Sequence, residues 1–127
     1  MDGRGRMAVQ SEAFECPFGF GTRFGEEKGT NPEELIGAAH AGCFSMAFSA
    51  VLGKAGFAPK KIQTRAKVHL EKVGEGFAIT KIDLSTEGEI PEIDEATFRQ
   101  HAEEAKASCP VSKALAGAEV ALEAKLL

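Results

Sequence analysis

The sequence predicts an α+β fold in which antiparallel strands cover helices on one face. Three stretches carry that expectation. A long apolar run opens at Asn31 and Pro32, residues 62–72 alternate strictly between apolar and polar, and apolar residues recur at every second position from Val120 to Leu126. The 127 residues fit one domain, spanning 1–127, and a chain this short gains naturally from a second subunit.

Met7, Val9 and Phe14, set among polar neighbours, mark residues 5–14 as one or two short strands. Residues 16–30, CPFGFGTRFGEEKGT, are rich in glycine and aromatics and read as a loop-bearing region. Phe18, Phe20 and Phe24 imply that this loop packs on something apolar, because a free loop seldom carries so much hydrophobic surface. A strong helix start follows. Asn31 caps, Pro32 suits the first helical position, Glu33 and Glu34 complement the positive helix end, and Asn31 with Glu34 resembles a capping box.

From there LIGAAHAGCFSMAFSAVLGKAG is apolar nearly all round, and Gly53 or Gly56 ends it. A helix with no polar face predicts burial on every side, hence a second subunit covering it. In the strand 62–72, Ile62, Thr64, Ala66, Val68 and Leu70 point inward, while Gln63, Arg65, Lys67, His69 and Glu71 point outward. Beyond a turn at Gly74 and Gly76, Phe77 and Ile79 give way to Ile82 and Leu84, a change of phase that predicts a β-bulge. Asp94 opens a helix with Phe98, Ala102 and Ala105 on one face. It stops near Ser108, since Pro110 disfavours helical geometry at Cys109. A short helix from Pro110 to Gly117 leads into the last strand.

Apolar residues at 43% and charged residues at 27% argue against disorder. A net charge of −4, no basic stripe and no Tyr or Trp argue against nucleic-acid binding. The N-terminal MDGRGRMAVQ has arginines but no apolar segment after them, so no secretory signal is expected. No apolar run is read as a membrane span. The expectation is a cytoplasmic protein whose thiols are kept reduced.

Cys16, Cys43 and Cys109 include no C-x-x-C pair and no zinc-type spacing, so no metal is expected. Cys43 lies mid-helix in AHAGCFSMA, where a free cysteine is most simply packing. Cys109 precedes Pro110 at a helix start, where unpaired N–H groups and the helix dipole lower a thiol pKa; the plainer reading is a cap with no chemistry. His40 shares a helix face with Cys43, as a thiol–imidazole pair for acyl transfer would require, although any buried helix can place a histidine there. His69 and His101 read as solvated surface. Gly19-x-Gly21 lacks the rest of a dinucleotide fingerprint, and there is no P-loop pair. Arg23, set between Phe20 and Phe24, needs an anionic partner if it is drawn into an apolar pocket; a thiolate or a carboxylate would serve.

The segment GFGTRFGEEKGTNPEELIGAAHAGCFSMAFS, followed by KASCPVSKAL, resembles the osmotically inducible protein C and organic hydroperoxide resistance family. TNPEELIGAAHAGCFSMA is nearer the first branch, and the resemblance runs from GRGRMAV to the final strand. It implies an intertwined homodimer with two active sites at the interface. It also implies reduction of organic hydroperoxides by a thiol, without a cofactor, and regeneration by a dithiol such as a lipoyl group. By motif, it makes Cys43 in AGCFSMA the peroxidatic cysteine and Cys109 in ASCPVS the resolving one. Arg23 in GTRF and Glu33 in TNPEEL match the pair that activates the thiolate, while Cys16 departs from the pattern. Glu33 precedes Cys43 by about 15 Å of straight helix, so Arg23 and Glu33 are expected to reach Cys43 of the other subunit. The phenylalanines and Met46 are expected to favour alkyl peroxides over hydrogen peroxide. The rival readings are a non-enzymatic thiol redox sensor or small-ligand-binding stress protein, and a Cys43–His40 acyl-transfer enzyme.

Overall fold

The computed structural model describes residues 3–127; Met1 and Asp2, the first residues of the N-terminal reading, lie outside them. β1 (Arg4–Ala8) and β2 (Glu15–Gly19) form an antiparallel hairpin with Met7 opposite Cys16. Residues 16–19 are thus a strand, where the sequence pointed to a loop. Cys16 and Phe18 do alternate with exposed Glu15 and Pro17, but the neighbouring glycines mask the period. A single helical turn, α1 (Phe20–Phe24), carries Arg23.

α2 (Pro32–Lys54) starts as expected, with Asn31 Oδ1 accepting the Glu34 N–H at 2.8 Å. Glu33, Gly37, His40, Phe44, Phe48 and Leu52 form its buried stripe. Burial on every side is therefore corrected for the single chain. Ala39, Gly42, Ala50 and Gly53 are exposed on the other side, and Met46 is 76% exposed. The reason is that one sheet and one helix layer cover only one face. By length and composition α2 could cross a membrane, with a hydropathy of 1.6. That corrects the reading that no run is long enough. Here the helix packs on β3, α3 and α4.

β3 (Lys61–Val73) and β4 (Gly76–Glu89) form a long antiparallel hairpin. His69 pairs with Lys81 and Leu70 with Ile79, so Thr80 is the extra residue of the bulge that the phase change predicted. α2 sits close on β3, because a Cβ at Gly37 would lie 3.3 Å from a Val68 methyl carbon. α3 (Glu95–Ser108) is capped by Asp94, and α4 (Pro110–Ala114) ends before Gly117. β5 (Glu119–Leu126) pairs with β4 in parallel, Lys81 opposite Glu119 through Gly88 opposite Leu126. The expected antiparallel sheet is corrected at this strand: the chain leaves β4, crosses over through two helices and re-enters from the same end.

The core lies between this three-stranded sheet and the helices. Phe44, Phe48 and Phe98 are fully buried, with ring centroids 5.6 Å apart for Phe44–Phe48 and 5.3 Å for Phe48–Phe98. Ala102 and Ala105, also fully buried, let α3 approach α2. That approach brings the α3–α4 joint against the middle of α2.

Candidate active site

Cys109 is at once the end of α3 and the cap of α4. Pro110 keeps its backbone extended, at φ −62° and ψ 118°, which breaks the helix and turns the side chain inward. The thiol is fully buried. Its sulphur lies 2.9 Å from that of Cys43, a half-buried residue of α2 sixty-six positions away. An S–S bond is about 2.0 Å long, so under 1 Å of approach separates the pair from a disulfide.

Cys109 donates across that distance to the Cys43 sulphur, and the surroundings act differently on the two thiols. At Cys43 burial pushes the thiol up, the hydrogen bond with Cys109 adds to this, and the Val111 N–H pulls weakly the other way. Burial also pushes Cys109 up. There, however, the hydrogen bond with Cys43 and the polar groups of Ser112 and Val111 outweigh it, leaving the thiol below its ordinary value. The Cys109 thiol, which donates to the Cys43 sulphur, is thus held below its ordinary pKa and the Cys43 thiol above it. A thiolate at Cys43 needs a cation, and Arg23 is not among the groups that act on it.

Arg23 is held elsewhere. Its Nε donates to both carboxylate oxygens of Glu33, at 2.9 and 3.2 Å, and its Nη2 donates to Oε1 at 2.5 Å. Glu33 is 7% exposed, and this fork supplies the partner a buried carboxylate requires. The guanidinium also lies 5.2 Å from the centre of the Phe24 ring. Phe20 stacks on Phe24 at 5.2 Å, and Phe77 from the β3–β4 hairpin does so at 5.0 Å. Phe18, Phe20, Phe24, Pro32 and Arg23 line an open cleft of about 360 Å³. Ten residues of continuous helix, about 15 Å, separate Glu33 from Cys43. The four residues singled out by motif thus form two separate pairs within the chain.

The other expectations fare differently. His40 is fully buried, and its Nε2 lies 2.6 Å from Ser112 Oγ. His69 and His101 are not simply solvated. His69 Nε2 is 2.7 Å from an Asp83 oxygen, and His101 packs near Phe57. Cys16 is half-buried on β2 with a free thiol. Among the described residues no three His, Cys, Asp or Glu side chains converge as a metal site would require. Ser112 escaped the sequence reading. Its only signal was its place three residues after Cys109, where the first turn of a helix points donors back at the cap.

Residues 25–125 match the family described as OsmC-like protein. Peroxiredoxin OsmC of Escherichia coli is 55% identical over 125 residues, covering 98% of this chain and 87% of that protein. An organic hydroperoxide resistance protein from Elizabethkingia anophelis superposes with a TM-score of 0.80 at 22% identity, over 100% of this chain and 96% of that one. OhrB of Bacillus subtilis, another organic hydroperoxide resistance protein, gives 0.76 at 21% identity, over 100% and 98%. Those two likenesses speak for the mixed α+β fold, and the family match and the E. coli relative for kinship: the chain belongs to the OsmC-like protein family.

Proposed function

We propose that the chain, as a single domain, is a thiol peroxidase that reduces organic hydroperoxides to alcohols and works as a homodimer. Cys43 attacks the peroxide as a thiolate. Its sulphur takes one oxygen, the O–O bond breaks, and the alkoxide leaves as the alcohol after gaining a proton. Cys109 then displaces hydroxide from the Cys43 sulfenic acid, which yields the disulfide and, with a proton, water. A dithiol reductant restores both thiols by exchange, becoming a disulfide itself. The observation that carries this reading is the approach of the two sulphurs to 2.9 Å, across sixty-six residues, in a relative of a peroxiredoxin.

The dimer follows from what the single chain lacks. Cys43 needs a cation, the Arg23–Glu33 fork stands about 15 Å off along α2, and one side of α2 is open and apolar. A second copy laid on that side brings its own Arg23, Glu33 and phenylalanine cleft to Cys43. The cleft takes the alkyl tail, the guanidinium favours the thiolate, and Glu33 fixes the guanidinium.

Mixing variants tests both parts. Cys43→Ser and Arg23→Ala homodimers are each expected to lose cumene hydroperoxide turnover with a dithiol reductant. Refolded together in equal amounts, they should recover about a quarter of wild-type activity, because half the dimers are mixed and each mixed dimer holds one intact site. No recovery would show that Arg23 serves its own chain. A wild type that oxidises once and never cycles would favour the redox-sensor reading.

A further inference from the structure

The inner face of the sheet carries two hydroxyls that a packed core does not need. Thr64 and Thr86 face each other across β3 and β4, and Thr86 is 1% exposed. Ile62, Ala66 and Leu84 beside them pack on the apolar core. Valine would fill either place with no hydroxyl to satisfy. The two hydroxyls are instead the middle of a chain that begins on α2. Ser45 Oγ donates to Thr64 Oγ1 at 2.7 Å, the Thr64 and Thr86 oxygens lie 3.0 Å apart, and Thr86 Oγ1 donates to the Gln63 carbonyl at 3.4 Å. Each hydroxyl has one hydrogen, so Thr64 donates to Thr86 and the chain runs one way. A serine inside a helix often returns its hydrogen to the carbonyl four residues back; Ser45 directs it to the sheet. Ser45 also lies two residues after Cys43, about 200° around the helix. One side of this turn is thus tied to β3, while the other presents Cys43 to Cys109, which donates to it at 2.9 Å.

We propose that Ser45, Thr64 and Thr86 are positioning residues for the Cys43–Cys109 disulfide, fixing the rotation of α2 on the sheet so that the two sulphurs meet. The proposal rests on the disulfide of the two-thiol reading and deepens it. The rest of α2 is apolar, and apolar attraction has no direction. Phe44, Phe48 and Leu52 decide which side faces the core, yet such contacts hold over a range of separations. Side chains reach ~5 Å from the helix axis, so a rotation of ~20° carries the Cys43 sulphur roughly 2 Å. The approach left to the disulfide is less than about 1 Å. A hydroxyl pair bonds only between about 2.5 and 3.0 Å, a window that no such rotation leaves intact. In the cycle, Cys109 forms the S–S bond as hydroxide leaves the Cys43 sulfenic acid and takes up a proton. Misplacement by about 1 Å can slow such a step about 10²-fold. The hydroxyl chain therefore supplies the direction that the apolar face of α2 lacks.

The test equilibrates the full chain with reduced and oxidised glutathione and counts the Cys43–Cys109 disulfide by peptide mass. The two thiols give up two electrons and two protons, and oxidised glutathione becomes two thiols. Wild type is compared with Thr64→Val, Thr64→Ser and the triple variant Ser45→Ala/Thr64→Val/Thr86→Val, and each is also unfolded in urea. Thr64→Val and the triple variant should lower the equilibrium constant for the disulfide about tenfold, a part of the effective concentration that orientation supplies. Thr64→Ser keeps the hydroxyl and should stay close to wild type. The triple variant leaves no hydroxyl unpaired, so its urea midpoint should not fall. A wild-type constant in Thr64→Val, or a Ser variant as impaired as the Val one, overturns the proposal. So does a constant that falls only in step with the urea midpoint, as general loosening would produce. Valine suits a strand, so the two Thr64 variants decide the matter if the triple variant fails to fold. A wild type that forms the disulfide but never turns over cumene hydroperoxide overturns the peroxidase reading and not this inference. A wild type that forms no disulfide overturns both.

Discussion

The first turn of α2 and its middle meet the same problem, an ionisable group drawn away from water, and solve it differently. Glu33 is nearly buried but finished within the chain, for Arg23 grips it with three hydrogen bonds. Cys43 has a partner in Cys109, yet its thiol stays harder to ionise than a free cysteine, because burial acts on it and no cation does. One end of the helix thus holds a charge with nothing to activate, and the middle holds a nucleophile with nothing to activate it. Proximity of two thiols makes a disulfide possible, but Cys43 still needs a group that favours its thiolate to react at neutral pH.

The largest expected effects fall on the thiols. Cys43→Ser should lower peroxide turnover by at least about 10³-fold, the scale of losing a nucleophile. Cys109→Ser should instead release one equivalent of alcohol and then stall with dithiol present, which a single-turnover assay would show. Equal residual turnover in the two variants would break the asymmetry between them. Next in size comes the ion pair. Arg23→Ala should cost about 10²-fold in kcat/KM, as removal of one preorganised electrostatic donor does. Arg23→Lys should recover only part, since an ammonium cannot make the fork. A Lys variant indistinguishable from wild type would mean that charge alone matters and that the bond geometry to Glu33 is incidental.

How much of this contrast was legible in the sequence differs between its halves. Asn31 and Pro32 announced α2, the shift from Ile79 to Ile82 announced the bulge at Thr80, and Pro110 announced the broken joint that turns Cys109 inward. Each is a local signal with a local cause. The side of α2 that faces the core was not legible, because a helix apolar all round carries no phase; only the packing of β3 and α3 chooses it. Nor does the alternation of Val120 to Leu126 hold the direction of pairing, which the α3–α4 crossover sets. The pairing of Arg23 with Glu33 and the meeting of Cys43 with Cys109 came from motif resemblance, since spacing in sequence says nothing about contacts ten and sixty-six residues apart. Ser112 lay beyond both routes, since its contact with His40 joins residues far apart in sequence.

A smaller effect is expected in the stability of the middle of α2. His40 has its pKa lowered by burial, so between neutral pH and the more acidic folded value the unfolded chain binds a proton that the folded chain does not. Its stabilising contribution is full above about pH 6.5 and falls as pH drops below that value. Asp83 and Asp94, both held below the ordinary carboxylate range by hydrogen bonds, from His69 and from the Thr97 backbone respectively, act only in a more acidic window. Urea midpoints of wild type should therefore decline between pH 7.5 and 5.5, and His40→Gln should flatten part of that decline. An identical slope in both would mean that His40 protonates in the folded chain as readily as in the unfolded one.

The smallest effect concerns the residue that joins the first turn of α2 to its cation. Asn31 Oδ1 caps the helix on the Glu34 N–H, while its Nδ2 donates to the Thr22 carbonyl at 2.9 Å, one residue from Arg23. Asn31→Asp keeps the cap, which both residues serve equally well, and gives up only the bond to Thr22. Asn31→Ala gives up both and should cost about 1 kcal/mol of stability. If Asn31 serves mainly to hold the Arg23 turn against α2, the Asp variant should unfold close to the wild-type midpoint but show a several-fold lower kcat/KM for cumene hydroperoxide. If it serves only as a cap, Asp should match wild type in both measurements. Those two outcomes separate a helix that merely begins beside the Arg23–Glu33 pair from one whose first residues keep that pair in place.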